Sequence, residues 1–316
     1  MARREPYSMR AMSLASLLKG KGPSGYGYGS TAEVVTQGIS LKGKTFLITG
    51  STAGLGAESA RVLAQRGARV IATGRSKEKV QSALARMPGV VVPLACELSD
   101  PQSVRACAAA VKREGFPLDG IIANAGIMAL PRLEQVLGYE KQFFTNHIGH
   151  FLLITELLSQ LSEKGRVVML SSGAHLRAPK TGIEFDNLSG ERGYSPWLAY
   201  GQSKLANLLF AKHLSKRLQG TSQTANAVHP GVIRTNLSRS TPVVRALMGI
   251  AEPFVLKSVE EGAATQCYVA TRPELDGVSG EYFSDCNVAK PSALAQDPAL
   301  ASRLWDESER IVQKLG

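Results

Sequence analysis

The chain has 316 residues, 44% hydrophobic and 20% charged, an ordinary globular composition with enough apolar material for a sizeable core. No apolar run reaches the roughly 18 residues a membrane-spanning helix needs, so none is expected. The net charge of +11 favours anions in general, phosphorylated cofactors among them, but the lysines and arginines are scattered, so a nucleic-acid-binding arm is not expected.

Met1 to Lys21 is basic and holds one short apolar stretch, Met12 to Leu18. It is too short to span a bilayer and lacks a small-residue cleavage site, so no secretory signal is read there. Residues 22–31 are rich in glycine and read as a linker. Residues 1–40 are therefore taken as an N-terminal extension, partly flexible, and 41–316 as a single domain. Strand and helix signals then alternate. Strands are expected at Thr45–Thr49, Arg69–Thr73, Val90–Leu94, Leu118–Asn124, Arg166–Leu170 and Ala225–His229. Helices are expected at 54–67, 77–87, 101–114, 135–162 and 198–219. This alternation predicts an α/β doubly wound Rossmann fold, a parallel sheet with helices on both faces. The four cysteines (Cys96, Cys107, Cys267, Cys286) form no CxxC pair and lie at no metal-ligand spacing from histidine. Reduced, buried thiols in a cytoplasmic protein without a metal are expected.

The first strand runs into Thr49-Gly50-Ser51-Thr52-Ala53-Gly54-Leu55-Gly56. Glycines there let the backbone turn tightly against a pyrophosphate, and a following helix N-terminus stabilises its charge. The spacing is G-x-x-x-G-x-G, so the turn alone is a weak signal; its place in a βαβ unit makes it a dinucleotide site. The second strand ends Ala72-Thr73-Gly74-Arg75-Ser76, with no carboxylate for a ribose 2′-hydroxyl. Arg75, helped by the Thr73 or Ser76 hydroxyl, suits the 2′-phosphate of NADP(H). Further on, Tyr200 and Lys204 stand four apart, the only Tyr-x-x-x-Lys among eight tyrosines. On a helix they share a face, and an ammonium beside a phenol is expected to lower its pKa. A tyrosine tuned in this way exchanges a proton with a substrate oxygen near neutral pH.

With Asn124-Ala125-Gly126 after the fourth strand, Ser171-Ser172 after the fifth, and His229-Pro230-Gly231-Val232-Ile233-Arg234-Thr235 after the sixth, these motifs resemble the short-chain dehydrogenase/reductase family over about residues 40–290. Asn146-His147-Ile148-Gly149-His150-Phe151, Ser171 to His175, Ser203 to Asn207 and Gly280 to Cys286 resemble its retinol dehydrogenase and WW-domain oxidoreductase branch. No WW module or membrane anchor is read in this chain.

The resemblance implies a catalytic set of Asn146, Ser172, Tyr200 and Lys204. Tyr200 would be the acid or base, Lys204 its tuner and a partner of the nicotinamide ribose, and Ser172 a donor to the substrate oxygen, with Ser171 as fallback. Asn146 would hold a water linking Lys204 to solvent. Cofactor contacts would come from Gly50, Ser51, Thr52, Gly54, Leu55, Gly56, Arg75, Glu97, Leu98, Asn124, Ala125, Gly126, Tyr200, Lys204, Pro230, Gly231, Val232 and Thr235. Glu97 stands where the family usually has an aspartate for the adenine amino group. The three histidines His147, His150 and His175 read as structural, packing and hydrogen-bonding the backbone, not as metal ligands. The long segment from Ser172 to Tyr200 should wall one side of a substrate site, and an apolar lid at about 236–257 (Val243, Val244, Leu247, Met248, Ile250, Phe254, Val255) the other, which suits a bulky apolar molecule. The resemblance also allows a homodimer in which the helices at 135–162 and 198–219 pair. The expected activity is NADP(H)-dependent interconversion of a carbonyl and an alcohol on a mid-sized apolar substrate. The alternative is a non-catalytic NADP-binding protein on the same fold.

Overall fold

A computed structural model describes residues 20–233 and 256–315. Most of the expected lid, Thr235 and most of the basic N-terminal stretch lie outside the described residues. In chain order the main elements are β1 (Thr45–Ile48), α1 (Gly54–Gln65), β2 (Arg69–Gly74), α2 (Lys77–Leu84), β3 (Val90–Ala95), α3 (Pro101–Glu114), β4 (Leu118–Ala123), α4 (Gly149–Leu157), β5 (Leu161–Leu170), α5 (Pro196–Arg217), β6 (Thr224–His229), α6 (Ala264–Thr271), β7 (Tyr282–Ser284), β8 (Asn287–Val288) and α7 (Pro298–Lys314). They form an eight-stranded sheet in the order β8-β7-β6-β5-β4-β1-β2-β3. All pairs are parallel except β7 with β8. This is the doubly wound Rossmann arrangement expected from the alternation. The strand order reverses between β1 and β4, and such a switch point leaves a crevice at the carboxyl ends of the strands.

Local chemistry starts and stops the helices. Asp100 accepts from the Gln102 N–H at 3.0 Å, Pro101 opens α3 and Gly115 closes it with a left-handed φ of 72°. Asp297 caps α7 through the N–H groups of Ala299 and Leu300 at 2.8 and 3.1 Å, again followed by a proline. Central strands are apolar on both faces because each face carries its own core. Val104, Val111, Phe151, Leu205, Leu209 and Trp305 pack on one side. Val62, Leu63, Val80, Cys267 and Val269 pack on the other.

Two expectations are corrected. The helix expected over 135–162 is not continuous. Gln135–Val136 and Tyr139–Glu140 form a small antiparallel hairpin, a helical turn follows at Lys141–Phe143, and Phe144–Ile148 is π-helical before α4. Chain expected to end that helix instead begins β5, at Leu161. The glycine-rich stretch 22–31 is not a bare linker. It makes a turn closed by Gly22 N–H to Tyr26 O at 2.7 Å, and Asn287 bolts it to β8 by accepting from Ser24 N–H at 3.0 Å and donating to Tyr26 O at 3.1 Å. A further finding concerns the helix face expected to pair across a dimer. Within this chain α7 covers it: the Trp305 ring stacks on Phe210 at 5.5 Å and meets Phe151 edge-on at 4.9 Å, Arg217 lies over it at 4.7 Å, and His147 Nε2 bonds Ser308 Oγ at 2.8 Å.

Candidate active site

The crevice at the carboxyl ends of β1, β4, β5 and β6 gathers the expected residues on rigid elements. Gly50 has a φ of +69°, and a Cβ there would lie 2.9 Å from Ala125 Cβ, so the β1 and β4 turns touch backbone to backbone. A Cβ on Gly56 would collide with the Gly50 carbonyl and lie 2.5 Å from Asn124 Nδ2. Asn124 Nδ2 donates to Thr49 O at 2.8 Å, which ties the two turns together. Ser51 turns its hydroxyl inward to Ile48 O at 2.9 Å, and its N–H donates to Thr73 O at 2.8 Å, which pins the turn to β2. Helix α1 starts at Ala53 with no side-chain cap and no acidic residue in its first turn. Its first N–H groups are therefore available to an anion. These features fit a dinucleotide pyrophosphate.

Arg75 is exposed at the end of β2. Its two expected helpers are differently employed. Thr73 is buried with no hydrogen-bond partner for its Oγ1, and Ser76 caps α2 by accepting from Lys79 N–H at 3.4 Å. Glu97 is also spent locally: its Oε1 accepts from Ser99 N–H at 3.1 Å and Ser99 Oγ at 2.7 Å. Leu98 is buried, and its carbonyl packs so closely on α4 that only Gly149 fits beneath it.

Ser172, Tyr200 and Lys204 come together at the ends of β5 and α5. Gly201 makes this approach possible, because a Cβ there would sit 2.8 Å from Ala174 O. Ser172 lies close enough to the Tyr200 phenol to favour its ionised form. Ser171 does not face the phenol; its hydroxyl is locked onto Lys204 O at 2.8 Å. The Lys204 ammonium, 5% exposed, lies 5.8 Å from the Tyr200 ring centroid and donates to Leu170 O at 3.1 Å. A Cβ on Gly126 would lie 3.1 Å from Asn146 Oδ1 and 3.4 Å from Lys204 Nζ, so the Asn124-Ala125-Gly126 turn borders both residues.

The electrostatics depart from the sequence expectation. Burial pushes Tyr200 up to about 12, against a smaller lowering by Ser172. Burial also brings Lys204 down to about 8. Without a bound ligand, desolvation outweighs the ammonium's pull at this separation, so the phenol keeps its proton.

Asn146 sits in the π-helical turn. Its amide accepts from Ile127 N–H at 2.8 Å and donates to Ile127 O and Ser203 Oγ, both at 2.9 Å. Its side chain braces the loop after β4 against α5. The π turn leaves the Asn146 carbonyl to His150, whose Nδ1–H donates to it at 2.9 Å. The Thr49 hydroxyl donates to His150 Nε2 at 2.9 Å and accepts from Ala125 N–H at 2.9 Å. This chain requires a neutral imidazole, and burial holds His150 down near 4. His150 therefore orders the crevice as well as packing in it.

Sequence reasoning passed over His229 as one letter of a turn motif. Its Nδ1 accepts from Gly173 N–H at 3.1 Å and Gly231 N–H at 3.4 Å. One imidazole thus links the serine turn to the Pro230-Gly231 turn. His175 holds the other side: Nδ1–H donates to Ser172 O at 2.7 Å and Nε2 accepts from Ser292 N–H at 3.2 Å. Its position three residues after Ser172 was the available signal. Among the described residues no group of three His, Cys, Asp or Glu is placed to hold a metal, and no helix is long and apolar enough to cross a membrane.

Residues 44–245 match the model of the short chain dehydrogenase family. A chloroplastic short-chain dehydrogenase of Brassica napus, TIC 32 B, is 44% identical over 319 residues, covering 96% of this chain and all of the relative. Retinol dehydrogenase 12 of Mus musculus is 42% identical over 282 residues, covering 87% and 88%. A crystal structure of a Mycobacterium paratuberculosis protein superposes with a TM-score of 0.74 at 35% identity, covering 90% of this chain and 98% of that one. The crevice that joins a glycine cradle to Ser172, Tyr200 and Lys204 therefore belongs to an oxidoreductase of the short-chain dehydrogenase family, in its retinol dehydrogenase branch.

Proposed function

We propose that this chain is an NADP(H)-dependent oxidoreductase that interconverts a carbonyl and an alcohol on a mid-sized apolar molecule such as a retinoid, sterol, lipid aldehyde or polycyclic ketone. The observation that carries this is the convergence of Ser172, Tyr200 and Lys204 beside the glycine cradle. A bound nicotinamide would supply or accept the hydride. The turns at Gly50 to Gly56 and Asn124 to Gly126 would hold its phosphates and adenosine, Arg75 the 2′-phosphate, and Pro230 to Val232 with Lys204 the nicotinamide end. Glu97 and Leu98 would flank the adenine, with Thr235 completing the set from outside the described residues. Tyr200 enters reduction with its proton in place and passes it to the carbonyl oxygen. Ser172, beside that phenol, donates to the same oxygen and stabilises its growing charge. Lys204 favours the phenolate that results. Asn146 keeps the loop and α5 in register.

Apolar side chains support the substrate class. Leu176 is 68% exposed, Leu198 46% and Val232 53%, and they stand on the serine turn, the start of α5 and the cofactor turn. Trp197 meets the Tyr200 ring edge-on at 6.2 Å. A homodimer is part of the proposal, with α7, which packs on the α4–α5 face, taking part in its interface. Cytoplasmic residence remains part of the proposal, on the strength of four buried, unbridged thiols; the Brassica relative is named chloroplastic, and imaging a tagged full-length chain distinguishes the two.

The test is NADPH consumption against a panel of apolar aldehydes and ketones. Tyr200→Phe should cut turnover by about 10²-fold or more with NADPH binding retained, and substantial remaining activity would refute the mechanism. Arg75→Glu should weaken NADPH far more than NADH; equal loss would undo the cofactor assignment. NADPH binding without turnover of any panel member would favour the non-catalytic alternative.

A further inference from the structure

Lys257 is a cation with no place in the mechanism, yet it is 1% exposed. Its ammonium is held 2.5 Å from Asp285 Oδ1 and 4.7 Å from the centre of the Tyr28 ring. Burying a charge this completely is costly unless partners compensate. Here they come from the two ends of the chain: Tyr28 from the glycine-rich segment, and Asp285 from the β7–β8 turn, where Asp285 and Cys286 take left-handed φ values of 52° and 63°. Such backbone strain persists only where the surroundings enforce it.

The Lys257 stem lies directly under the Pro230-Gly231 turn. Gly231 has a φ of +91°, and a Cβ there would meet Lys257 Cδ at 2.7 Å. Lys257 N–H donates to Val232 O at 2.9 Å, and Ile233 and Lys257 form a parallel bridge. The opposite side of the same turn is held by His229, which is near enough to feel the charges of both Asp285 and Lys257.

We infer that Lys257 is a positioning residue for the Pro230 to Val232 turn, and that Tyr28 and Asp285 hold it there. Residues 20–31 are then a working part of the nicotinamide end of the cofactor site. This rests on the cofactor assignment proposed above. The cluster couples the N-terminal segment to the turn through the Lys257 side chain.

The test uses the full chain and two variants. Lys257→Met keeps the stem and removes the charge; Tyr28→Leu removes the ring and keeps the ammonium. NADPH binding is followed by fluorescence titration, and backbone hydrogen exchange is measured without cofactor. Both variants should bind NADPH about tenfold more weakly. The amides of Gly231 to Ile233 should exchange faster, while those of Gly50 to Gly56 keep the wild-type rate. Unchanged affinity with unchanged exchange at 231–233 would overturn the inference. So would a uniform rise in exchange across both turns, which is the mark of general loosening. Wild-type protein that binds neither NADPH nor NADH would sink the cofactor assignment, and the exchange pattern would still decide whether Lys257 holds the turn.

Discussion

Lys204→Met should make the protein more stable as it destroys the activity. Burial lowers the Lys204 ammonium from 10.5 to about 8. At about 1.4 kcal/mol per tenfold change in proton affinity, the folded state bears roughly 3 kcal/mol for keeping this group charged. Below pH 8 both folded and unfolded chains hold the proton, so the cost is present in full. Between pH 8 and 10.5 the unfolded chain holds more protons than the folded one, and stability rises with pH. Above 10.5 neither is charged and the cost is gone. Methionine keeps the unbranched stem and has no charge to desolvate. It gives up the hydrogen bond to Leu170 O, worth about 1 kcal/mol, but that carbonyl still accepts from Asn207 Nδ2 at 2.9 Å. The net gain at pH 7 is about 2 kcal/mol, falling to a loss of about 1 kcal/mol near pH 10.5. Urea unfolding of the cofactor-free protein at both pH values measures this. A variant less stable than wild type at pH 7, or a difference that does not move with pH, would refute the argument.

Gly56→Ala places a methyl group against the Gly50 carbonyl and Asn124 Nδ2, so the cradle must open. NADPH affinity should fall by about tenfold or more, and a titration that matches wild type would show that the turn does not contact the cofactor. Trp305→Ala removes the ring sandwiched among Phe151, Phe210, His213 and Arg217. The expected loss is about 3–5 kcal/mol in denaturant unfolding. A loss under about 1 kcal/mol would mean that α7 does not seal this face.

The elements with strong periodicity were legible along the chain. Residues 101–114 were bounded by Asp100-Pro101 and Gly115, and α3 occupies that span. The 135–162 segment misled because its apolar run spans a π turn, and because Ser162, Glu163 and Lys164 carry no strand alternation although they lie in β5. Strands as short as Tyr282–Ser284 and Asn287–Val288 have no period to detect. The helix α7 did have a signal in Asp297-Pro298, which went unread. Spacing also placed Tyr200 and Lys204 on one face of a helix, but it was silent on how dry that face would be.

Local rules thus determined the alternation of strands and helices, the glycine cradle and the shared helix face of Tyr200 and Lys204, because each depends on neighbours a few positions away. Tertiary structure decided the rest. Desolvation set the protonation of Tyr200 and Lys204, since burial depends on every element packed around them. His229 and Lys257 acquired their tasks from groups brought together across the chain: Tyr28 reaches Lys257, and Gly173 reaches His229, only when the sheet and its turns have assembled.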